Sequence, residues 1–507
     1  MTDTRYSRRN FVGGMAALAG SALAYRALGT ATAAAVGISA AQPAVGSTAA
    51  DSGLAFESAQ SLADRIRRKE VSSVELTRYF IDRIERFDKV LNAVPVRDFD
   101  RALEAAAAAD AAMAQGKDLG PLHGLPMTIK ESYDIEGLPT TWGNPAWKDN
   151  VAVNDSVVVS RFKGAGAHFM GKTNVPFMLA DFQSYNEVYG QTGNPWDPSR
   201  TPGGSSGGSA VALATGMTGL ESGSDIGGSI RNPAHFCGVY GHKPTHGIVP
   251  GRGQAPPGAV AEPDLAVVGP MARTAEDLRA ALDIVAGPDV LTASGWKLDL
   301  PAPRRTSLDG LRIALLPDHG ASPVEREVAD RVAMVGDVAA KRGATVSDTA
   351  RPEFVSADGF GVYTKLLLSV MGLSPEDNID HMQWLGLNNE RTKFRYGWQA
   401  FFQDWDVLVC PIMPTAAFPH DHSPETFARS ITINGEPRSY FQQIFWAGIA
   451  TLSYLPSTVF PTGVSKSGLP IGLQVIGAEF DDATTIEFAR LLAAEIGGFV
   501  PPPGYPA

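Results

Sequence analysis

Helical segments alternate with short apolar runs along most of this chain, and that alternation limits the fold more than any other feature. Apolar residues recur at helical spacing from Leu62 to Phe87, and the run from Ser72 to Glu75 is typical of a capping box. An alanine-rich segment that ends at Gly116 predicts a third helix. SVVVSRFKGAGAHFMGK predicts a helix and then a strand, and LRIALLPD and DVLVCPIMP are typical of buried strands. The sequence therefore predicts an α/β fold in which helices sandwich a mixed or mostly parallel sheet.

The composition is that of a globular protein. Of the 507 residues 44% are hydrophobic and 19% are charged, which is too apolar for a disordered chain. No linker is evident after residue 51, so we expect residues 51–507 to form one domain. A net charge of −11 without a basic cluster argues against a nucleic-acid partner.

Neither the cysteines nor the histidines suggest a metal site. Cys237 and Cys410 lie far apart without CxxC spacing, so we expect two buried free thiols. His242 and His246 are four residues apart, but Pro244 between them prevents a shared helix face. The sequence therefore predicts no metal centre.

Residues 1–41 predict an export signal that is not part of the fold. Basic residues precede an apolar stretch that reaches Tyr25, and small residues follow. The run from Ser7 to Phe11, SRRNF, resembles a twin-arginine signal, which would make the twin-arginine export machinery a partner. The apolar stretch is shorter than the about 20 residues that span a bilayer, so we expect no stable membrane insertion. We expect cleavage between about residues 33 and 50 and a periplasmic or secreted protein.

The stretch TPGGSSGGSA, which begins at Thr201, has three interpretations: a linker, a phosphate loop or a turn that presents a serine. A helical run follows it at once, which argues against a linker. It lacks the Gly-Lys-Ser/Thr ending of a phosphate loop. Ser205 satisfies the G-x-S-x-G pattern of a nucleophile elbow, but three prolines in the preceding NPWDPSRTP exclude the central strand that an elbow needs.

A second serine, Ser229, follows two glycines in SDIGGSIRNPAHFCG. Glycines allow successive backbone N–H groups to turn toward one point, an arrangement that stabilises an oxyanion. Two such serines require a base, and no histidine is a convincing candidate. A lysine can serve where burial keeps it neutral, and Lys130 at the end of the apolar run MTIK is a candidate.

Five motifs together resemble the amidase signature family over most of the chain. They are GPLHGLPMTIK, GKTNVP, GQTGNPWDPSRTPGGSSGGSAVALATG, GSDIGGSIRNPAHFCGVYGHKPT and GLPIGLQVIG. The resemblance implies an α/β/α sandwich around a mixed sheet and hydrolysis of a small-molecule amide without metal or organic cofactor. It also implies a triad in which Ser229 is the nucleophile, Ser205 is the bridging residue and Lys130 is the base. In the family a cis peptide bond precedes the bridging serine, here between Gly204 and Ser205.

The resemblance further implies which groups surround the reacting carbonyl. The oxyanion hole would consist of the backbone amides of Ile226, Gly227, Gly228 and Ser229. We interpret Asp225 and Arg231, which flank the nucleophile, as structural rather than catalytic residues.

The chain departs from the family pattern at two places. Many members have Asp-Asn after the lysine, whereas Glu131 and Ser132 stand here, and this bears on how the lysine is oriented. Phe177 stands where many members carry an acidic residue. We interpret Phe177 to Tyr189 as part of the acyl-side wall, with Leu179 as the expected substrate contact.

The substrate is the least determined feature. We expect further pocket walls from the region of Tyr363 to Trp398 and from FQQIFWAGIATLSYLP, whose aromatic and aliphatic residues favour an apolar or aryl acyl group or a peptide C-terminal amide. Two alternatives stay open: an amidotransferase-type subunit that releases ammonia for tRNA amidation, and an inactive exported binding protein. A homodimer is also left open.

Overall fold

Three helices open the part of the chain that the computed structural model describes, residues 53–507 apart from 373 and 374. They are α1 (Ala59–Arg67), α2 (Ser73–Leu91) and α3 (Phe99–Ala114). The predicted capping box is confirmed, because Ser72 and Glu75 bond each other's backbone amides at the start of α2. The export signal and its cleavage region lie outside the described residues.

A small sheet carries the first part of the predicted site. It consists of β1 (Val96–Arg97), β2 (Pro126–Lys130) and β3 (His168–Thr173), in the order β1-β3-β2, with β2 parallel to β3. Helix α4 (Val157–Gly164) precedes β3, which confirms the predicted helix and strand. A short antiparallel pair follows, β4 (Tyr185–Asn186) and β5 (Gly190–Gln191).

The remaining elements form a larger sheet, a separate hairpin and further helices. The strands are β6 (Glu221–Asp225), β7 (Tyr240–Lys243), β8 (Val267–Ala272), β9 (Arg312–Leu315), β10 (Thr345–Ser347), β11 (Val407–Pro411), β12 (Ser430–Ile433), β13 (Glu436–Ser439), β14 (Ser457–Val464) and β15 (Pro470–Ile476). The helices are α5 (Gly207–Ala214), α6 (Arg231–Cys237), α7 (Ala275–Val285), α8 (Arg326–Lys341), α9 (Ala357–Met371), α10 (His381–Asp404), α11 (Ile444–Thr451) and α12 (Asp482–Ile496).

The larger sheet has eight strands in the order β10-β9-β11-β15-β14-β7-β8-β6. The pairs β10–β9 and β9–β11 are parallel and the other pairs are antiparallel, so the sheet is mixed as predicted and is not mostly parallel. Strands β12 and β13 form a separate hairpin. Helices flank the sheet, with α6 and α12 against β14 and with α8 against β11.

The two sheets meet where β2 lies beside β6. Thr128 bonds the side chain of Glu221, and Lys130 bonds that of Ser224, so both strands run in the same direction and end side by side. All residues of both strands are buried or nearly so, as expected for strands covered on both faces. This junction brings the lysine of the first motif to the serines of the later ones.

The two cysteines agree with the expectation from the sequence. Cys237 and Cys410 are buried and unpaired, as predicted. Within the described ranges, no helix combines the length and the apolar character needed to cross a bilayer.

Candidate active site

Lys130, the last residue of β2, reaches two serines from a fully buried position. Its Nζ lies 2.6 Å from Oγ of Ser205 and 2.9 Å from Oγ of Ser224. Burial lowers the pKa of Lys130 to about 7, because the charged amine loses its hydration. At neutral pH a large fraction of this lysine is therefore uncharged and able to accept a proton.

The carboxyl groups around Lys130 oppose this shift only in part. Asp225 forms a buried ion pair of 2.9 Å with Arg231, which outweighs the effect of burial and holds the pKa of Asp225 below its usual value. Burial raises the pKa of Glu221 to about 8, so this group is mostly protonated at neutral pH. Three carboxyl groups thus act on the lysine: Asp225 is paired with Arg231, Glu221 is mostly neutral, and Glu131 accepts hydrogen bonds from two backbone amides. The amine of Lys130 stays titratable near neutrality.

Ser205 lies in the glycine-rich loop that leads into α5, and its side chain is buried. The peptide bond between Gly204 and Ser205 is cis, which confirms the prediction. A Cβ atom at Gly204 would collide with the backbone of Asp181 to Gln183. This position therefore requires glycine because the acyl-wall segment packs directly against it.

Ser229 lies two residues before α6 and is 7% exposed. The backbone amide of Ser206 donates to the carbonyl of Ser229 at 3.1 Å, which ties the two serine loops together. Ser229 lines a cavity of about 740 Å³, as do Ile226 and Gly227. The fold thus ties the Ser205 loop, which Lys130 contacts, to the loop of Ser229, and of these three residues Ser229 lines the cavity.

Asp225 shapes the loop that carries Ser229. Its carboxylate accepts hydrogen bonds from the backbone amides of Gly228 (2.9 Å) and Ile230 (3.1 Å) as well as from Arg231. These contacts agree with a structural role for Asp225 and Arg231. They differ from the expectation for Gly228, whose amide is bonded to Asp225 and is not available to an oxyanion in this arrangement.

The cavity has mainly apolar walls. Its lining includes Phe177, Leu179, Phe182, Leu367, Met371, Phe441 and Ile444. The segment from Phe177 forms one wall, as expected, and Leu179 lies in it with a left-handed backbone (φ 59°). The expectation for the region of Tyr363 to Trp398 is only partly right, because Leu367 and Met371 of α9 line the cavity whereas Trp398 packs in the aromatic core.

A polar network joins two walls of the cavity, and no motif in the sequence predicts it. Nη1 of Arg429 lies 2.6 Å from Oδ2 of Asp181, and both side chains are almost fully buried. The hydroxyl of Tyr440 donates to the other oxygen of Asp181, and Nη2 of Arg429 donates to the hydroxyl of Tyr185 at 2.9 Å. All four residues line the cavity, so its buried charges compensate each other.

A second network lies behind Lys130. The side-chain amide of Gln254 donates to Oγ of Ser224 and to Oγ of Ser132, both at 3.0 Å. Ser132 is one of the two residues that depart from the family pattern after the lysine. Gln254 thus links Ser132 to Ser224, the serine that contacts Lys130. The sequence does not predict this link, because Gln254 lies far from Ser132 along the chain.

Glu131, the other departure, holds the backbone beside the cavity. Its carboxylate accepts from the amides of Thr141 and Trp142 and from the hydroxyl of Tyr189 at 3.0 Å. The carbonyl of Trp142 in turn accepts from the amide of Met178 at 2.8 Å, next to Leu179. Glu131 therefore supports the acyl wall rather than contacting the amine of the lysine.

His242, one of the two histidines considered as a metal pair, lies buried in the core. Its ring nitrogens lie 2.9 Å from Oγ1 of Thr458 and 3.1 Å from Oδ1 of Asp482, so both are engaged in the core. Across the described ranges, no group of three or more His, Cys, Asp or Glu side chains is arranged to hold a metal ion.

Comparison with known proteins identifies the family of this chain. The model of the family described as Amidase matches residues 75–369 and 353–486. A glutamyl-tRNA(Gln) amidotransferase subunit from Moorella thermoacetica is 33% identical over 483 residues, which cover 86% of this chain and 96% of that protein. A solved structure, a bacterial aryl acylamidase of the amidase signature family, has a TM-score of 0.77 at 26% identity over 87% of this chain and 97% of its own.

The chain belongs to the amidase signature family. Indoleacetamide hydrolase of Bradyrhizobium diazoefficiens is another relative, 34% identical over 471 residues, with 87% of this chain and 86% of that protein covered. The amidase signature fold expected from the sequence is confirmed, and membership supports action on an amide bond.

Proposed function

We propose that this amidase signature enzyme hydrolyses a neutral carboxylic amide, with an apolar or aryl acyl group, to the acid and an amine or ammonia. The observation that carries the proposal is the contact between Lys130 and Ser205, whose loop is tied through the Ser206 amide to Ser229, a residue that lines an apolar cavity. A neutral buried lysine, a linking serine and a cavity-facing serine are the groups that acyl transfer requires.

In the proposed reaction, Oγ of Ser229 attacks the amide carbonyl carbon. Its proton passes to Ser205 as the proton of Ser205 passes to Lys130, and a tetrahedral oxyanion forms. The C–N bond then breaks, Ser205 donates a proton to the leaving nitrogen, and Lys130 returns its proton to Ser205. Water then attacks the resulting ester and gives up its proton along the same path. The acid is released and the hydroxyl of Ser229 is restored.

The cavity walls support an uncharged substrate. The buried charges at the wall, Asp181 and Arg429, neutralise each other, so an anionic acyl group would lose hydration without a free cation among the lining residues. Phe182, Leu367 and Ile444 offer apolar contact instead. A panel of anilides, aryl amides and small polar amides tests this, and fastest turnover of the small polar amides would contradict it.

Covalent labelling tests the proposed nucleophile. A fluorophosphonate probe with adduct mapping by mass spectrometry is expected to modify Ser229 in the wild type, and Ser229→Ala is expected to lose both labelling and amide hydrolysis. Labelling at Ser205 would assign the nucleophile to the other serine. Absence of labelling and of turnover across the panel would favour the inactive binding protein.

An amidotransferase-type subunit is the second candidate, since relatives carry that name. Against it, the lining of the cavity supports a neutral apolar group rather than the charged ends of an amino acid. Copurification with partner subunits, together with glutamine as the preferred substrate, would favour this candidate over the amidase.

We also propose that residues 1–41 direct export by the twin-arginine route. The support for this is that basic, apolar and small residues follow one another in the arrangement of an export signal. Replacement of Arg8 and Arg9 by lysine is expected to leave the protein inside the cell in a fractionation experiment. Unchanged export of that variant would contradict the proposal.

A further inference from the structure

Tyr363 holds the loop of the proposed nucleophile from behind. This residue belongs to α9, is 1% exposed and does not line the substrate cavity. Its hydroxyl donates a hydrogen bond of 2.8 Å to the backbone carbonyl of Ile226. A Cβ atom at Gly448 of α11 would collide with the Tyr363 ring, so α11 leaves room for the ring at that point.

The bond to Tyr363 fixes the direction of the next amide. In a trans peptide the C=O and the following N–H point in opposite directions, and in the described part of the chain only the bond before Ser205 is cis. Because the Ile226 carbonyl points at Tyr363, the N–H of Gly227 points away from Tyr363. Ile226 and Gly227 both line the cavity.

The neighbouring peptides are fixed by other partners. The carbonyl of Gly228 accepts from the backbone amide (2.7 Å) and the side-chain amide (2.9 Å) of Asn232, which turns the N–H of Ser229 away from Asn232. The amide of Gly228 is bonded to Asp225. Among the described residues, the amides of Gly227 and Ser229 have no hydrogen-bond acceptor.

We propose that Tyr363 is a positioning residue of the oxyanion hole, which aims the Gly227 N–H at the oxygen of the reacting carbonyl. The inference rests on the proposed function and adds a residue from outside the family motifs. The phenol hydroxyl is what holds the Ile226 carbonyl in this direction, and a hydrogen bond to a carbonyl also makes the N–H of the same peptide a stronger donor.

The phenol keeps its proton throughout the working range. Burial raises the pKa of Tyr363 well above its usual value, so the phenol is protonated and donates at neutral pH. Loss of this contact is therefore expected to weaken oxyanion binding without introducing a new pH dependence.

Tyr363→Phe tests the proposal, because it removes one oxygen and keeps the ring. With an amide that the wild type hydrolyses, we expect kcat to fall about 10- to 100-fold, which does not exceed the fall in kcat when a whole oxyanion donor is removed. KM should stay within about twofold of the wild-type value. A substrate-like aldehyde, which forms a hemiacetal oxyanion with Ser229, should bind weaker by the same factor, while the carboxylic acid product should bind unchanged.

The quantity to compare is the ratio of the inhibition constant of the aldehyde to that of the carboxylic acid. This ratio stays valid if part of the variant unfolds, because both inhibitors bind to folded sites only. Tyr240→Phe is the matched control: Tyr240 is another buried tyrosine, on β7, and its variant should keep the wild-type ratio. Gly448→Ala, which displaces the Tyr363 ring but keeps its hydroxyl, should shift the ratio in the same direction as Tyr363→Phe.

A Tyr363→Phe enzyme with wild-type kcat and wild-type aldehyde affinity would overturn the inference alone. An equal loss of affinity for aldehyde and acid would assign Tyr363 to general packing and also overturn it. A wild type that neither hydrolyses amides nor binds the aldehyde would instead overturn the proposed function, and the inference with it.

Discussion

Nζ of Lys130 lies 2.6 Å from Oγ of Ser205, and both side chains are shielded from solvent. The same Nζ touches Ser224, which Gln254 holds from the other side. The amine is thus fixed between hydroxyl groups in a desolvated space, where its proton affinity is matched to neutral pH. Most of the properties that we expect of the enzyme follow from this arrangement.

The first prediction concerns the pH dependence of turnover. In the proposed reaction the neutral amine of Lys130 is the base. Since burial lowers the pKa of Lys130 to about 7, kcat/KM should fall tenfold per pH unit below about pH 7 and level off above it. Gln254→Glu places a carboxyl group beside Ser224 and should move this limb to higher pH. If the fall of kcat/KM at low pH occurs at the same pH in Gln254→Glu as in the wild type, a group other than Lys130 titrates.

The second prediction separates activity from stability at the same residue. Lys130→Met should reduce kcat by about 100- to 10,000-fold, the usual contribution of a general base. The folded pKa of Lys130 lies below its unfolded value, so the cost of burying the amine is fully present below about pH 7 and disappears as pH rises toward 10.5. Lys130→Met should therefore melt at a higher temperature than the wild type at pH 6, with a smaller difference at pH 9. A lower melting temperature of the variant at pH 6 would contradict this.

The third prediction concerns the ion pair that joins the cavity walls. Asp181→Ala leaves Arg429 buried without a counter-charge and should lower the free energy of unfolding by about 3–5 kcal/mol. The double variant Asp181→Leu with Arg429→Met should recover most of that loss, because no charge stays buried. Chemical denaturation of the three proteins measures this, and a double variant as unstable as Asp181→Ala would show that the charges are not the cause.

The features that the sequence predicts best are those set by short motifs. The capping box at Ser72, the cis bond before Ser205 and the mixed sheet were predicted, since each depends on local residue choice or on a family motif. The contacts of Asp181 with Arg429 and of Tyr363 with Ile226 were not, because they join positions 248 and 137 residues apart. Such pairs leave no periodic trace in one sequence.

Gly228 shows a different limit. The motif predicts four backbone amides directed at one point, but a carboxylate three residues earlier captures one of them. Two consecutive glycines permit many loop conformations, and the choice among them depends on Asp225, Asn232 and Tyr363, which contact the loop from three sides. Composition alone could not decide between these conformations.

The fourth prediction concerns recognition of the acyl group. In Leu179→Asn the new side chain is of a type that tolerates the left-handed backbone at this position, so the backbone can stay as it is. The substitution removes an apolar contact of the cavity. If about 1.4 kcal/mol of apolar contact is lost, KM for aryl amides should rise about tenfold. Turnover of acetamide, which is too small to reach the wall, should change little, and an equal rise of KM for both substrates would point to a distorted site instead.

The close packing of Gly204 against Asp181 to Gln183 has a consequence for how this enzyme can acquire new substrates. The segment proposed as the acyl-side wall and the loop that carries Ser205 are in backbone contact with no spare space. Insertions or deletions in that wall would shift the serine, whereas exchanges of cavity-facing side chains such as Leu367 and Ile444 would not. Laboratory evolution of substrate range should therefore accumulate point substitutions on α9 and α11 and keep the length of the Phe177 to Tyr189 segment constant.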